Sequence, residues 1–368
     1  LIKTIIGFIF LTNFYWNISI EALISEFTPY YQQNLQTTAE NTPSKEQSDS
    51  TVEPETQPIS SKNPSDKSKE IWNAKSDNPF LKTTGLYIEK ESQAIDWVKA
   101  NPNDERAKKI EEKIANVPTA KWFGDKNVNE VDDYVSEAAT ENKLPMIVAY
   151  NIPLRDCGQY SAGGAVSADE YKDWIRKIAK GIGDRPAVVI LEPDALIHLD
   201  CLSDEQRTIR FSLLKDATEV LKQDAPATWT YIDGGDGKWK SPEDMAGWLK
   251  EAGVANTRGV SLNVSNYNTT VDVEKYGTKL TEILKNNYNI TSHLVIDTSR
   301  NGNGSNGQWC NPSGRKLGKE PSIQSTSLTD AFLWIKRPGE SDGDCGIGSG
   351  TTAGQFTPEL AMSLIDGS

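Results

Sequence analysis

Two histidines, His198 and His293, are all that a chain of 368 residues contains. That scarcity removes most zinc sites and leaves little material for a Ser-His-Asp triad. Basic residues are also short, with 39 Lys and Arg against 52 Asp and Glu, a formal net charge of −13. A nucleic-acid binder needs a basic face that displaces counterions, so this balance argues against that class, whereas a neutral polymer raises no such objection. Any chemistry should rest on carboxylates, and no metal or cofactor is expected. Cysteine is sparse too: Cys157, Cys201, Cys310 and Cys345 include no C-x-x-C pair. An even count in an extracellular chain suggests two disulfides, with three pairings open, against the alternative of four buried thiols. Long apolar runs are missing as well, since the run from Ile5 to Leu11 is cut short by Asn13 and Asn17. It is too brief to span a bilayer. With Lys3 ahead of it and small and polar residues following to Ala22, residues 1–22 read as a secretory signal without its initiator Met. A membrane anchor is the weaker reading. N-x-S/T sequons at Asn263, Asn268, Asn289 and Asn303 are compatible with secretion.

From about Gln32 to Asp77 the chain shifts to Ser, Thr, Pro, Glu, Lys and Gln. Such a stretch cannot bury enough apolar surface to offset its ordering entropy, so residues 23–77 read as a low-complexity linker or tail. Residues 78–368 read as one catalytic domain, long enough for a single large core. There, short β-branched runs alternate with amphipathic segments. Strands are expected at Leu86–Ile88, Lys121–Phe123, Met146–Tyr150, Ala187–Glu192, Thr228–Ile232, Gly259–Val264, His293–Asp297 and Ala331–Ile335. Helices are expected at Asp104–Ala115, Val128–Glu141, Ala168–Gly181, Asp204–Lys222, Pro242–Ala252 and Val273–Asn286, with Ser167, Ser203 and Ser241 as N-caps. Alternation of this kind builds βαβ units on a parallel sheet, and eight strands point to a closed or nearly closed β/α barrel. A doubly wound open sheet is the runner-up.

In such barrels reactive groups gather where strands end and loops begin. Those positions hold Asp156, Glu192 and Asp194, Asp233, Asp297, and the set Lys336, Glu340 and Asp342. A lone acid there is more often a helix cap or an ion-pair partner, but here nearly every strand delivers one. Acetal hydrolysis needs two: one kept protonated for the leaving oxygen, one ionised to activate water or stabilise positive charge. Like charges crowded at one rim push one pKa upward, which keeps the acid loaded. Trp122, Trp239 and Trp309 fall in or beside loops, where an exposed indole can stack on the apolar face of a sugar. Trp97, Trp174 and Trp248 lie on helical stretches and read as core.

The segments Tyr150-Asn-x-Pro-x-Arg155-Asp156-Cys157 and Glu192-Pro193-Asp194 resemble glycoside hydrolase family 6, the inverting cellulases. So do Asp297-Thr-Ser-Arg-Asn-Gly-Asn303, Trp309-Cys310-Asn-Pro-Ser-Gly-Arg315 and Trp334-Ile-Lys336-Arg-Pro-Gly-Glu340-Ser-Asp342-Gly. The five occur in order from about Asn78 to the C-terminus. The resemblance implies a distorted, incomplete parallel β/α barrel with its cleft at the carboxyl ends of the strands. It makes Asp194 the proton donor, Asp156 the group that raises the donor's pKa and steadies the transition state, and Asp342 the candidate base. Tyr150 would press on the distorted sugar. Asn266, Lys336 and Glu340 would bind substrate by hydrogen bonds, and Trp122, Trp239 and Trp309 by stacking. Cys157–Cys201 and Cys310–Cys345 would be the disulfides.

Two positions depart from the family pattern. Asp236 stands where a His is frequent, in the segment Asp233-Gly-Gly-Asp236-Gly-Lys-Trp239, and Ala162 stands where the family has a water-holding Ser, with Ser161 beside it. The interval from Cys310 to Cys345 looks short, as in endo-acting members, so the expectation is a secreted, extracellular, monomeric endo-β-1,4-glucanase acting on cellulose or a related glucan. No nucleic-acid or membrane partner is expected. A chain-end-acting cellobiohydrolase or a catalytically impaired glucan-binding protein are the alternatives, the latter supported by Asp236. A phosphate-handling barrel fails because Asn301-Gly-Asn-Gly304 has no helix behind it to aim amides at an anion. A Schiff-base barrel fails because Lys336 sits among acids.

Overall fold

The computed structural model describes residues 79–324 and 328–368. The signal expected at 1–22 and the linker expected at 23–77 lie outside the described residues. Eight strands form one sheet: β1 (Lys121–Phe123), β2 (Met146–Ala149), β3 (Ala187–Leu191), β4 (Thr228–Asp233), β5 (Gly259–Leu262), β6 (His293–Asp297), β7 (Ser322–Ile323) and β8 (Thr329–Leu333). Their spatial order is β1-β2-β3-β4-β5-β6-β8-β7. Every pairing from β1 through β6 to β8 is parallel, and β7 joins the edge antiparallel. A doubly wound sheet would reverse direction at a switch point. Here each crossover steps to the next position instead, so the sheet curls. The residue before β1 meets the residue after β8, where the Ala120 N–H donates to the Trp334 carbonyl at 3.0 Å. The result is a distorted, incomplete barrel.

Strand periodicity sorts side chains into two layers. Met146, Val148, Val188, Ile190, Val295 and Leu333 fill the lumen with Tyr231. Ile147, Ala149, Val189 and Leu191 face outward, against α4 (Ala168–Ile182) and α5 (Asp204–Asp224). The outer ring also includes α1 (Gln93–Ala100), α2 (Ala107–Ile110), α3 (Val131–Thr140), α6 (Pro242–Glu251), α7 (Thr270–Tyr288) and α8 (Pro358–Asp366). The three expected caps are present: Ser167, Ser203 and Ser241 accept from the N–H groups of Glu170, Gln206 and Asp244.

Several elements differ from expectation, and α1 and α8 form outside the expected helix spans. Leu86–Ile88 makes only an isolated bridge to Leu144, and the chain then turns so that Glu89 meets Lys121 and Arg337. The helix expected over Asp104–Ala115 starts at Ala107, because the Asp104 carboxylate accepts from the Arg106 N–H and guanidinium in a preceding turn. It then widens into a π-type turn at Glu111–Ala115. The eighth strand is β7, two residues long.

Candidate active site

The β2–α4 and β3–α5 loops are bent by backbone conformations that side chains rarely adopt. Leu154, Asp156 and Cys157 have φ of 57°, 56° and 48°, and Glu192 and Asp194 have φ of 50° and 69°. Each such residue costs about 1–3 kcal/mol and persists only where surrounding contacts impose it. Those contacts are visible. Fully buried Glu192 accepts from the Asn151 and Ile152 N–H groups, each at 3.0 Å, joining the two loops. Burial pushes its carboxyl up to about 7 despite those bonds. From α5, buried Arg210 donates to the Ala195 carbonyl at 2.8 Å and the Pro153 carbonyl at 2.7 Å. Arg155 holds the tip through the Ser161 and Tyr150 carbonyls at 2.8 and 2.7 Å. A disulfide from Cys157 to Cys201 closes the loop, and a second from Cys310 to Cys345 braces the loop on the opposite side.

These loops enclose a cleft of about 400 Å³ at the carboxyl ends of the strands. Tyr150, Asp156, Asp194, Asp342, Trp122, Trp239, Asn266, Trp309, Lys336 and Glu340 all line it. Half-buried Asp194 faces it with a carboxylate that accepts no hydrogen bond among the described residues. Burial, then the charges of Asp233, Asp156, Asp236 and Asp342, push its pKa well above the usual range. Asp233 lies directly beneath: its Oδ2 accepts from the Asp194 N–H at 3.0 Å, and burial raises its carboxyl to about 7. Two interacting acids of this kind titrate as a pair.

Asp342 is treated oppositely. Burial pushes its pKa up, but Arg300, then Lys336, outweigh that and hold the carboxyl below its ordinary value. Arg300 Nη1 reaches both its oxygens at 2.9 Å, Lys336 Nζ lies at 3.5 Å, and the Tyr267 hydroxyl and Asn311 N–H donate at 3.1 and 3.0 Å. Asp156 Oδ2 accepts from the Ser161 N–H at 2.7 Å, and His198 Nδ1 is 3.9 Å from its Oδ1. Ala162 faces the cleft beside this contact. Asp297, read as one acid of the rim, is instead fully buried and accepts from the N–H groups of Lys336, Ser299 and Ser265. It organises loops and does not line the cleft.

The Tyr150 ring lies edge-on to Trp122 at 5.2 Å and beneath the Arg155 guanidinium at 4.4 Å. Trp122 is fixed by its indole N–H to the Ile335 carbonyl at 2.9 Å. Trp239 and Trp309 remain 45% and 44% exposed, free to stack. Tyr160, beyond the disulfide Cys157, reaches across to Trp309 with ring centroids 6.0 Å apart. Lys336 Nζ donates to the Ser341 carbonyl at 3.1 Å, and Gln93 from α1 donates to Glu340 Oε1 at 3.1 Å. The Asn266 amide donates to the Val264 carbonyl at 3.1 Å. Trp174 is core, its indole N–H on the Gly124 carbonyl, and Trp97 and Trp248 pack against other apolar side chains. Sequence reasoning assigned no role to Asp233, Arg300, Tyr267 or Gln93. Asp233 and Arg300 did stand at strand ends or in a quoted motif, whereas Gln93 had no local signal. Of the four sequons, Asn263 and Asn268 are buried with their amides engaged, and Asn289 and Asn303 are exposed.

The sequence pattern described as Glycosyl hydrolases family 6 matches residues 80–368. Endoglucanase 1 of Streptomyces halstedii is 47% identical over 294 residues, 79% of this chain and 91% of that protein. Exoglucanase 3 of Agaricus bisporus is 29% identical over 270 residues, 62% of this chain and 61% of that protein. Among solved structures, the endoglucanase Cel6 of Mycobacterium tuberculosis, in complex with methyl-cellobiosyl-4-deoxy-4-thio-β-D-cellobioside, superposes with a TM-score of 0.72. It is 39% identical, and the match covers 79% of this chain and 99% of that one. With a carboxylate-rimmed cleft on an incomplete barrel and these relatives, the chain belongs to glycosyl hydrolase family 6 and is a cellulase.

Proposed function

We propose that the chain is a secreted, endo-acting β-1,4-glucanase that inverts the anomeric centre, its catalytic domain beginning near residue 78. The observation that carries the reading is the contrast between Asp194, raised and without a side-chain partner, and Asp342, lowered by Arg300 and Lys336. In this account Asp194 gives its proton to the glycosidic oxygen as the bond from C1 to that oxygen breaks. Asp156 faces the positive charge that develops on the sugar and, with Asp233, keeps Asp194 protonated beforehand. A water adds to C1 from the opposite face, and its proton passes to Asp342, which is ionised and ready to accept. Tyr150 presses on the distorted sugar at the cleavage point. Asn266, Lys336 and Glu340 hold the neighbouring units, and Trp122, Trp239 and Trp309 supply stacking planes.

Two features support endo action. The relative named as an endoglucanase is 47% identical, against 29% for the one named as an exoglucanase. The loop braced by Cys310 and Cys345 is short, with a sequence separation of 35. The two disulfides also support secretion, since such bonds persist in oxidising compartments. NMR of the earliest products from soluble cello-oligosaccharides tests the mechanism: fresh α-anomer is expected, and fresh β-anomer would mean retention. Carboxymethylcellulose viscosity tests the mode. A steep early fall is expected, and cellobiose release with little fall would make the enzyme chain-end-acting.

A further inference from the structure

We propose that Asp236 is a positioning residue for glucan binding: its carboxylate fixes the β4–α6 loop that presents Trp239 to the cleft. This rests on reading the cleft as a glucan site. An indole standing out from the surface contributes a stacking plane without a large ordering cost only if its backbone is held. The segment from Asp233 to Trp239 has little stiffness of its own, since it contains Gly234, Gly235 and Gly237. Gly235 and Gly237 have φ of 75° and 83°, and a Cβ on Gly237 would lie 2.7 Å from the Tyr276 ring. The loop must therefore turn through left-handed backbone and lie flat on that ring.

Asp236 supplies the missing stiffness. Its Oδ1 accepts from the Lys238 N–H at 2.9 Å and the Trp239 N–H at 3.2 Å, an Asx-type turn ending on the platform residue itself. Its Oδ2 accepts from Asn268 Nδ2 at 2.9 Å, and the same amide donates to the Asp236 carbonyl at 3.2 Å. Asn268 is anchored in turn, its N–H on Asn263 Oδ1 at 3.2 Å and its carbonyl taking the Asn301 amide at 3.1 Å. Beyond Trp239, Lys240 pairs with Asp200 and lies 5.5 Å over the Trp248 ring, so the platform is pinned on both sides. Three donors converging on one side chain suit an anionic acceptor. Asp236 is 6% exposed with both oxygens turned inward. The residue that replaces a frequent His here therefore acts through Trp239 and not on the sugar.

A double-mutant cycle on the full chain tests this, with Asp236→Ala, Asp236→Asn, Trp239→Ala and the Asp236→Ala/Trp239→Ala pair measured on cellohexaose. Asp236→Ala is expected to raise KM about tenfold with kcat within about threefold. Asp236→Asn keeps an oxygen for the Lys238 and Trp239 N–H groups, and a flip of the Asn268 amide, whose Oδ1 is otherwise unpartnered, lets it accept from the new Nδ2, so KM should stay within about threefold of wild type. The pair should be no worse than Trp239→Ala alone. Additive losses would place Asp236 on the sugar independently of Trp239. An Asn variant as damaged as the Ala variant would make the charge, not the turn, the active feature. Either result overturns the proposal. A ligand-free reading is the indole N–H resonance of Trp239, assigned through Trp239→Phe. A single line in wild type and Asp236→Asn, broadened or multiplied in Asp236→Ala, is expected, and an unchanged line in Asp236→Ala overturns the proposal. Wild type that neither binds nor cleaves cellohexaose would sink the glucan reading, while the resonance would still decide the role of Asp236.

Discussion

Toward the amino ends of β5, β6 and β8, Asp330 is met by Arg258 at 2.8 and 2.9 Å, by the Tyr231 hydroxyl at 2.7 Å and by His293 at 3.2 Å. At the carboxyl ends, Asp194 faces the charges of Asp233 and Asp156, and Asp233 accepts from the N–H groups of Asp194 and Gly235 beside the charges of Asp236 and Asp297. Burial pushes Asp330 up as it does the others, but Arg258 and His293 more than compensate and leave its pKa lowered. The same residue type is thus an anchor at the floor and, at the rim, an acid whose pKa is raised. The partners decide, not the burial. Asp342 sharpens the point, since it sits at the rim yet behaves like the floor residue because Arg300 and Lys336 neutralise it. In the proposed mechanism the acid that must start protonated has no cation beside it among the described residues, whereas the one that must start ionised has Arg300 and Lys336.

The contrast can be broken at three places, in descending size of effect. Asp194→Asn should lower hydrolysis by about 10²–10⁴-fold while cello-oligosaccharide binding survives. Equal turnover in mutant and wild type would remove Asp194 from the donor role. At the floor, Asp330→Asn strands the Arg258 charge in a buried site and should cost about 3–5 kcal/mol in chemical denaturation, with the folded fraction still active. A loss of activity at unchanged stability would contradict the assignment. The third effect is smaller and opposite in sign. Asp233 has a folded pKa of about 7, above its unfolded value. The folded state therefore binds more protons between those values, and stability is lost as pH rises from about 4 to about 7. Asp233→Asn removes that linkage and keeps an oxygen for the Asp194 N–H. It should gain stability relative to wild type at pH 8, on the order of 1–2 kcal/mol, and gain little at pH 4. For Asp330, whose folded pKa is lowered, wild-type stability should instead fall as pH drops below about 4.

Much of the barrel was legible because its strands and helices carry strong periodic patterns. Lys121–Phe123 and His293–Asp297 have the expected bounds, and the caps at Ser167, Ser203 and Ser241 fix three helix starts. β7 was not legible, since two residues flanked by Pro321 and Gln324 carry no alternation. Leu86–Ile88 looks like a strand by composition, but the ion pairs of Glu89 draw the chain away after one bridge. The acids of the site were readable as strand-end residues. Which of them are free and which are consumed was not, because that depends on partners distant in sequence. Asp297 is taken up by amides up to 39 residues away, Asp342 by Arg300 42 residues earlier, and Glu340 by Gln93 on the other side of the chain. The inward turn of Asp236 was hidden for the same reason, its second oxygen being held by Asn268, 32 residues on.

The most direct test of the account is a titration of the rim carboxyls by ¹³C NMR on protein labelled at aspartate, with Asp194→Asn and Asp342→Asn assigning the two signals. The account predicts that Asp194 remains protonated well above the ordinary aspartate range of about 4, while Asp342 is ionised throughout and titrates below it. An Asp194 signal that titrates near 4, or an Asp342 signal that rises with it, would contradict the division of labour on which the mechanism depends.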